Sequence, residues 1–236
     1  METFGEFDGA LLVDKPAGPT SHDIVDILRA HLGLKKIGHC GTLDPAATGL
    51  LILLLGKATR LSEKLMSDDK VYEGCVRFGI STASYDAQGA VTASAPVPPF
   101  TLDQLNSAAS TFTGDQMQEP PMVSAVKQGG VPLYKLARKG VVVERKSRLV
   151  HIYNFHFTDY IGPLGWCRVA CTKGTYVRSL AHELGQKLGC GAHLLHLRRT
   201  DSGKFTVADA IEVEQIIQTP PRELLTRIIP FLKLAK

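Results

Sequence analysis

The segment of this 236-residue chain best equipped for chemistry is Gly38-His39-Cys40-Gly41-Thr42-Leu43-Asp44-Pro45-Ala46-Ala47-Thr48-Gly49. A carboxylate in a glycine-rich loop can serve as a general base or as a nucleophile. Glycines at 38, 41 and 49 permit close approach of a ligand backbone, while Pro45 limits the freedom of the acid before it. A turn is the competing reading. Asp-Pro commonly initiates turns, and an isolated aspartate of this kind is usually structural.

Other familiar site motifs fail. Gly49 to Lys57 superficially suggests a phosphate loop, but six residues separate Gly49 from Gly56 where four are needed, and Ala58 replaces the magnesium-binding hydroxyl. HExxH, GxSxG and GxGxxG are all absent, which removes zinc protease, serine hydrolase and classical dinucleotide-binding readings. Five cysteines, Cys40, Cys75, Cys167, Cys171 and Cys190, form no CxxC pair, arguing against a disulfide framework and a zinc ribbon. Cys190 with His193 and His196 matches zinc spacings weakly, and turn and core roles fit these residues better.

Charge points to a polyanion. The net charge is +4, yet Lys127 to Arg148 holds seven Lys or Arg against the single Glu144. Arg168 to Lys204 holds another seven against Glu183 and Asp201. Clusters of this kind suit a phosphate backbone, because each neutralised phosphate releases condensed counterions. Solubility lysines are the competing reading. The longest apolar run, Leu50 to Leu55, is far short of the roughly 20 residues needed to cross a bilayer. Glu2, Glu6 and Asp8 occupy the place of a basic signal-peptide start, so a cytoplasmic protein without a membrane span is expected.

The elements that must position these residues are readable in outline. Ala10 to Val13 predicts a strand entering a turn at Asp14-Lys15-Pro16. Thr20 and Asp23 form a capping-box pattern, Ile24, Val25, Ile27, Leu28 and Leu32 line one side, and Gly33 supplies a stop. Residues 37 to 49 are expected to form a defined loop without regular structure. Strands are expected at Leu50–Leu55, Val71–Phe78, Val141–Phe157, Trp166–Thr172 and His193–Leu197. Helices are expected at Ala58–Met66, from Thr101 through Phe112, at Leu133–Lys139 and at Thr175–Leu188, with a final pair that includes Arg222–Leu234. Strands and helices intermingle without regular βαβ alternation, which favours an α+β architecture around one extended sheet.

Taken together, these segments resemble a family, the bacterial tRNA pseudouridine-55 synthases or TruB family. Asp14-Lys15-Pro16-Ala17-Gly18 is similar to its opening motif, and the Gly38–Gly49 loop to the one holding its catalytic aspartate. Lys70-Val71-Tyr72, Pro120 to Lys127, Leu133 to Arg138, Lys173 to Leu180, Gly189 to His193 and Leu197-Arg198-Arg199 follow in the family's order, covering residues 9 to about 210. The resemblance implies a pseudouridine synthase fold, with an extended, mixed, mostly antiparallel sheet flanked by helices. It implies one catalytic domain over residues 1–236, with a C-terminal helical segment at 211–236.

The implied reaction breaks the bond between uracil N1 and the ribose, rotates the base and rejoins it through C5, without cofactor or metal. Asp44 would be the catalytic carboxylate, attacking the ribose or the base or removing a ribose proton. Arg178 would pair with Asp44, and Tyr72 would stack on the extruded uracil and take the C5 proton. Tyr176 and Leu197 would wall the pocket, and His39 would fill the space left by the flipped base. Lys15 and Lys127 would hold phosphates or pack locally. Tyr134, Lys135, Arg138 and Lys139 combine an aromatic with three cations on one short helix, the mixture expected for RNA backbone contacts and base stacking, with a solvated helix face as the competing reading.

Two departures from the family are visible. Val123 stands where an aromatic is usual and Cys40 where threonine is common. Typical members continue into a C-terminal RNA-binding PUA domain that this chain is expected to lack, placing more of the binding on its own basic stretches. The expected partner is tRNA, engaged by a monomer. Two other readings share these features: a tRNA-binding folding chaperone, and a pseudouridine synthase acting on another RNA.

Overall fold

The computed structural model describes residues 5–235 apart from 125, 138, 139 and 142, and the side chains of 127 and 128 also fall outside that description. The strands, in chain order, are β1 (Gly9–Lys15), β2 (Ile37–Cys40), β3 (Thr48–Leu55), β4 (Lys70–Phe78), β5 (Ile80–Thr82), β6 (Val91–Ser94), β7 (Gly114–Gln118), β8 (Lys127–Gln128), β9 (Val131–Pro132), β10 (Arg148–Ile161), β11 (Leu164–Cys171), β12 (Ala192–Ser202), β13 (Phe205–Thr206), β14 (Ile211–Glu212) and β15 (Ile229–Pro230). The helices are α1 (Ser21–Leu32), α2 (Ser62–Met66), α3 (Leu102–Ser110), α4 (Leu133–Ala137), α5 (Val177–Lys187), α6 (Val213–Gln218), α7 (Pro221–Leu224) and α8 (Phe231–Ala235). Packing divides the chain into two compact units, Met1–Tyr72 with Arg198–Lys236, and Glu73–Leu197. The architecture is α+β, with a mixed and mostly antiparallel sheet.

The first unit is built on β3. Leu50 through Leu55 are all fully buried, which a strand achieves only when both of its faces are covered. Each such leucine contributes about 1.5–3 kcal/mol by leaving water. β1 lies antiparallel along β3 from Gly9↔Leu55 to Lys15↔Gly49. Ala10, Leu12, Leu50, Ile52 and Leu54 share one core with Cys40, Ala58, Leu65, Phe205 and Leu234. The helix after β1 forms as its caps predict: Thr20 accepts from Asp23 N, Asp23 accepts from Thr20 N, and Gly33 ends it in the left-handed conformation at φ 65°.

The other edge of β3 is shared. Near its C-terminal end it pairs antiparallel with β2, His39 facing Leu53, and at its N-terminal end it pairs parallel with β12, Arg198↔Thr48 and Arg199↔Gly49. This corrects the expectation of an irregular 37–49 segment. Residues 37–40 are a strand because β3 supplies a partner edge, and only 41–47 remain a loop. Close approach of β12 explains Gly49, whose φ is +98° and where a Cβ would collide with the backbone of Arg199.

The single C-terminal helix expected at Arg222–Leu234 is not formed. The chain makes α7, a 3₁₀ turn at Leu225–Arg227, the β15 strand and then α8. Pro230 has no N–H for a helix and disfavours helical backbone at Ile229, and both residues pair with β1 through Gly9↔Pro230 and Ala10↔Ile229. The helix expected at Ala58–Met66 likewise splits into a 3₁₀ turn, Gly56–Leu61, and α2.

In the second unit the strands run β4-β11-β10-β7. β10 faces Gln118–Gly114 of β7 along Arg148–Ile152, and pairs with β11 from Ile152 to Ile161. The strand expected from Val141 therefore begins at Arg148, where β7 first offers partners. Phe155 and Phe157 are buried against Phe78 and Phe112. The helix expected over Leu133–Lys139 is formed at Leu133–Ala137, and residues 138 and 139 lie outside the described residues. Among the described residues no helix is long and apolar enough to cross a membrane.

Candidate active site

Asp44 is half-buried at the apex of loop 41–47 in the first unit. Ala47 N donates to Asp44 O at 3.0 Å, closing a tight turn over Asp44-Pro45-Ala46-Ala47. Backbone on each side of the acid is fastened to regular structure. Ser21, the first residue of α1 and 1% exposed, accepts from Leu43 N at 2.9 Å and donates to Leu43 O at 3.2 Å. Gly18 N donates to Pro45 O at 2.8 Å. At the loop entrance Arg199, 1% exposed, donates from Nη2 to Gly41 O at 3.2 Å and from Nε to Leu50 O at 2.7 Å. Arg199 thus satisfies carbonyls at the point where the β3 edge passes from β12 to β2.

Lys15 completes the clamp. It is fully buried, and Nζ donates to Pro16 O at 2.8 Å, Pro45 O at 3.1 Å and Ala47 O at 2.7 Å. An ammonium has three donor hydrogens, and three carbonyls take them. Of the two sequence readings, phosphate binding is therefore corrected in favour of local packing, since no exposed surface is left for a phosphate. Burial pushes Lys15 down from 10.5 to about 8, while the charge of Asp44 and, more weakly, that of Asp23 act to raise it.

His39 is half-buried on β2, and its Nδ1 has no hydrogen-bond partner among the described residues. Burial first, then the positive charges of Arg199 and His22, lowers the pKa of its ring from the usual imidazole value, which favours the neutral form. Tyr72 is half-buried on β4 and belongs to this unit. Asp14 accepts two bonds from Arg198, at 3.0 and 2.6 Å, which ties the end of β1 to β12.

The second unit organises Arg178, which is 3% exposed in the first turn of α5. Its Nη1 donates to Ser84 O at 3.0 Å and stands 3.4 Å from Asp86 Oδ2, while Nη2 donates to Val123 O at 3.0 Å. Its guanidinium also lies 5.9 Å from the centre of the Tyr176 ring. Asp86 is held in turn by Ser84 Oγ at 2.6 Å and Gln88 N at 3.0 Å. Because Val123 serves through its carbonyl, the missing aromatic side chain leaves this contact in place.

Tyr176 precedes α5, and the carboxamide of Gln118 bonds both its backbone N and its O. Leu197 is half-buried on β12, against Gly74 of β4. Tyr134 on α4 donates its N–H to Ser124 O at 3.0 Å, beside the Val123 carbonyl that Arg178 uses. Arg138 and the side chain of Lys127 lie outside the described residues. Cys190 is buried and His193 directs Nδ1 to Ile80 O at 2.9 Å, consistent with core roles for both.

Four residues of this machinery are absent from the sequence-based expectation: Ser21, Asp86, Gln118 and, as a loop anchor, Arg199. Asp86 is expected only as part of a turn and Arg199 only as part of a motif. Ser21, Gln118 and Arg199 bond to partners 22 to 158 residues away, and Asp86, though held locally by Ser84 and Gln88, meets Arg178 from a distant part of the chain, so none of these roles leaves a local pattern.

Residues 29–177 match the model of the family described as TruB family pseudouridylate synthase (N terminal domain), and residues 178–229 match the tRNA pseudouridylate synthase B C-terminal domain. A relative in Opitutus terrae, named tRNA pseudouridine synthase B, is 54% identical over 98% of this chain and 95% of its own length. One of the same name in Chlamydia pneumoniae is 48% identical, covering 87% of each chain. Among solved structures, a chain from the crystal structure of a Cbf5-Nop10-Gar1 complex superposes with a TM-score of 0.76 at 30% identity, over 97% of this chain and 62% of that one. Another, from an H/ACA RNP bound to a substrate RNA containing 2'-deoxyuridine, gives 0.69 at 28% identity, over 98% and 58%. The chain that clamps Asp44 between α1, β1 and β12 belongs to the TruB family of pseudouridylate synthases.

Proposed function

We propose that this chain converts uridine 55 in the T-loop of tRNA to pseudouridine, with Asp44 as the reacting carboxylate. The observation that supports this most is the fastening of loop 41–47 by Ser21, Gly18, Arg199 and Lys15 on both sides of Asp44. Such anchoring is what a nucleophile or base needs if it is to meet a ribose or base in one geometry. The relatives' names, tRNA pseudouridine synthase B, support tRNA as the substrate.

The reaction is an isomerisation. The C1′–N1 bond breaks, the uracil turns, a C1′–C5 bond forms, C5 loses its proton and N1 gains one. Each of the three routes, attack on ribose, attack on base or removal of a ribose proton, begins from an ionised Asp44. Arg178 is proposed to favour that ion, Tyr72 to stack on the extruded uracil and accept the C5 proton, and Tyr176 and Leu197 to bound the pocket. His39, whose Nδ1 has no hydrogen-bond partner among the described residues, is proposed to take the place of the flipped base. Lys127, Tyr134 and Arg138 are proposed to contact RNA phosphates and bases, with the chain acting as a cytoplasmic monomer.

The experiment is incubation of the purified chain with unmodified tRNA, followed by mapping of pseudouridine at each position. Product at position 55 is expected. Binding of tRNA with no uridine changed would replace this proposal with a folding chaperone, and product only in ribosomal RNA would replace its substrate.

A further inference from the structure

We propose that Gln118 is a positioning residue for the reaction, its carboxamide setting the direction of Tyr176 and of the first turn of α5 that carries Arg178. Gln118 is the last residue of β7 and is 3% exposed. Its Nε2 donates to Tyr176 O at 3.1 Å, and its Oε1 accepts from Tyr176 N at 2.7 Å. One side chain thereby offers Tyr176 the donor and acceptor that a neighbouring strand residue would offer. Tyr176 has the extended backbone that such pairing requires, φ −101° and ψ 105°, and α5 has no side-chain cap of its own.

A second tie reinforces the first. Ser179 Oγ donates to Glu119 O at 3.3 Å, so two successive residues of the chain leaving β7 hold two residues at the start of α5. Helix starts leave N–H groups without internal partners, and the direction of an uncapped start is set by whatever binds around it. Here the carboxamide does so, two residues before Arg178. Arg178 then needs no side-chain rearrangement to meet Ser84 O, Val123 O and Asp86.

The same unit contains a built-in comparison. Asn106 on α3 clamps Phe157 in the same way, Nδ2 donating to Phe157 O at 3.1 Å and Oδ1 accepting from Phe157 N at 2.6 Å. Phe157 is a core residue, packed on Phe78 and Phe155. The two clamps are chemically alike and differ in what they hold. A purely structural role predicts like consequences from breaking either one.

The inference rests on the proposal that Tyr176 and Arg178 serve the uridine pocket. Gln118→Met keeps length and bulk but removes donor and acceptor, and Asn106→Leu does so at the comparison site. The readouts are thermal midpoint, tRNA Kd and the single-turnover rate of pseudouridine formation at saturating tRNA. Both variants are expected to melt lower. Only Gln118→Met is expected to lose rate, by about 10- to 100-fold as for a reacting group displaced by a fraction of an ångström to 1 Å, with Kd within about 3-fold of the parent.

Should Gln118→Met not fold, Gln118→Asn, which keeps a carboxamide but shortens its reach to Tyr176 by one methylene, is expected to lose rate with Kd unchanged. A parental rate in the folded Gln118 variant, or an equal loss of rate in Asn106→Leu, overturns the inference. Arg178→Lys separates the two levels. If it keeps the parental rate, the pocket proposal fails; if it loses rate while Gln118→Met does not, this inference alone fails.

Discussion

Lys15 Nζ donates to Ala47 O at 2.7 Å, so an ammonium with no exposed surface closes the turn that begins at Asp44. Replacing it with an apolar chain of similar length strands three carbonyls and removes a positive charge near the acid. Lys15→Met is expected to slow the saturating single-turnover rate by about 100-fold, the order of loss that a misplaced reacting group produces. tRNA affinity should change little, because no phosphate contact is lost. A fall in affinity with the rate intact would instead restore the phosphate role.

The same lysine predicts a pH dependence. Its folded pKa is about 8 against 10.5 unperturbed, so between these values the unfolded chain keeps a proton that the folded chain has released. This group therefore adds stability as pH rises through that window. Activity is expected to move the other way, since deprotonation removes a carbonyl donor from the Asp44 turn. A rate limb near pH 8 that is present in the parent and absent in Lys15→Met checks this, alongside denaturant midpoints over the same range.

Ser21→Ala tests the anchor on the other side of Asp44. It leaves Leu43 N without its partner in a buried setting, which costs about 1–3 kcal/mol. The helix N-cap, Thr20, is untouched, so α1 itself should persist. Urea titration followed by circular dichroism is expected to show a lower midpoint with unchanged helical signal, and turnover should fall with it.

How far such anchors were legible in advance depended on where each partner lies. α1 was readable because Thr20, Asp23 and Gly33 are all local to the helix, and β3 because six successive apolar residues admit few alternatives. β2 was not, because four residues with a central glycine have no strand preference until β3 pairs with them. The helix expected through Pro230 fails because Pro230 pairs with Gly9 across the chain, a contact with no local signal. Asp44 and Arg178 sit in recognisable motifs, whereas Ser21, Gln118 and the Asp86–Arg178 pair act through contacts that no spacing encodes.

Asp86→Asn keeps an acceptor for Ser84 Oγ and Gln88 N while removing the charge beside Arg178. Arg178 would lose the carboxylate that stands 3.4 Å from its Nη1, which loosens the placement of its guanidinium. The expected result is a saturating rate about 10-fold or more lower with Kd nearly unchanged, since positioning is lost and binding surface is not. A change confined to Kd would place Asp86 in RNA binding instead.

All five cysteines are buried and none is in a disulfide, and burial pushes Cys40 and Cys167 up to about 12. The thiolate is the reactive form, so the folded protein should resist alkylation at pH 8. Iodoacetamide labelling read by mass spectrometry is expected to modify few thiols in buffer and all five in denaturant. Rapid labelling of Cys40 in the folded protein would show that the β2–β3 pairing opens readily.

The most direct measurement is pseudouridine mapping on unmodified tRNA with the parent chain and Asp44→Asn, which keeps the size of the side chain but removes the carboxylate. The parent is expected to convert position 55, and Asp44→Asn to bind the tRNA with no detectable product there. Product formed by Asp44→Asn at the parental rate would contradict the account.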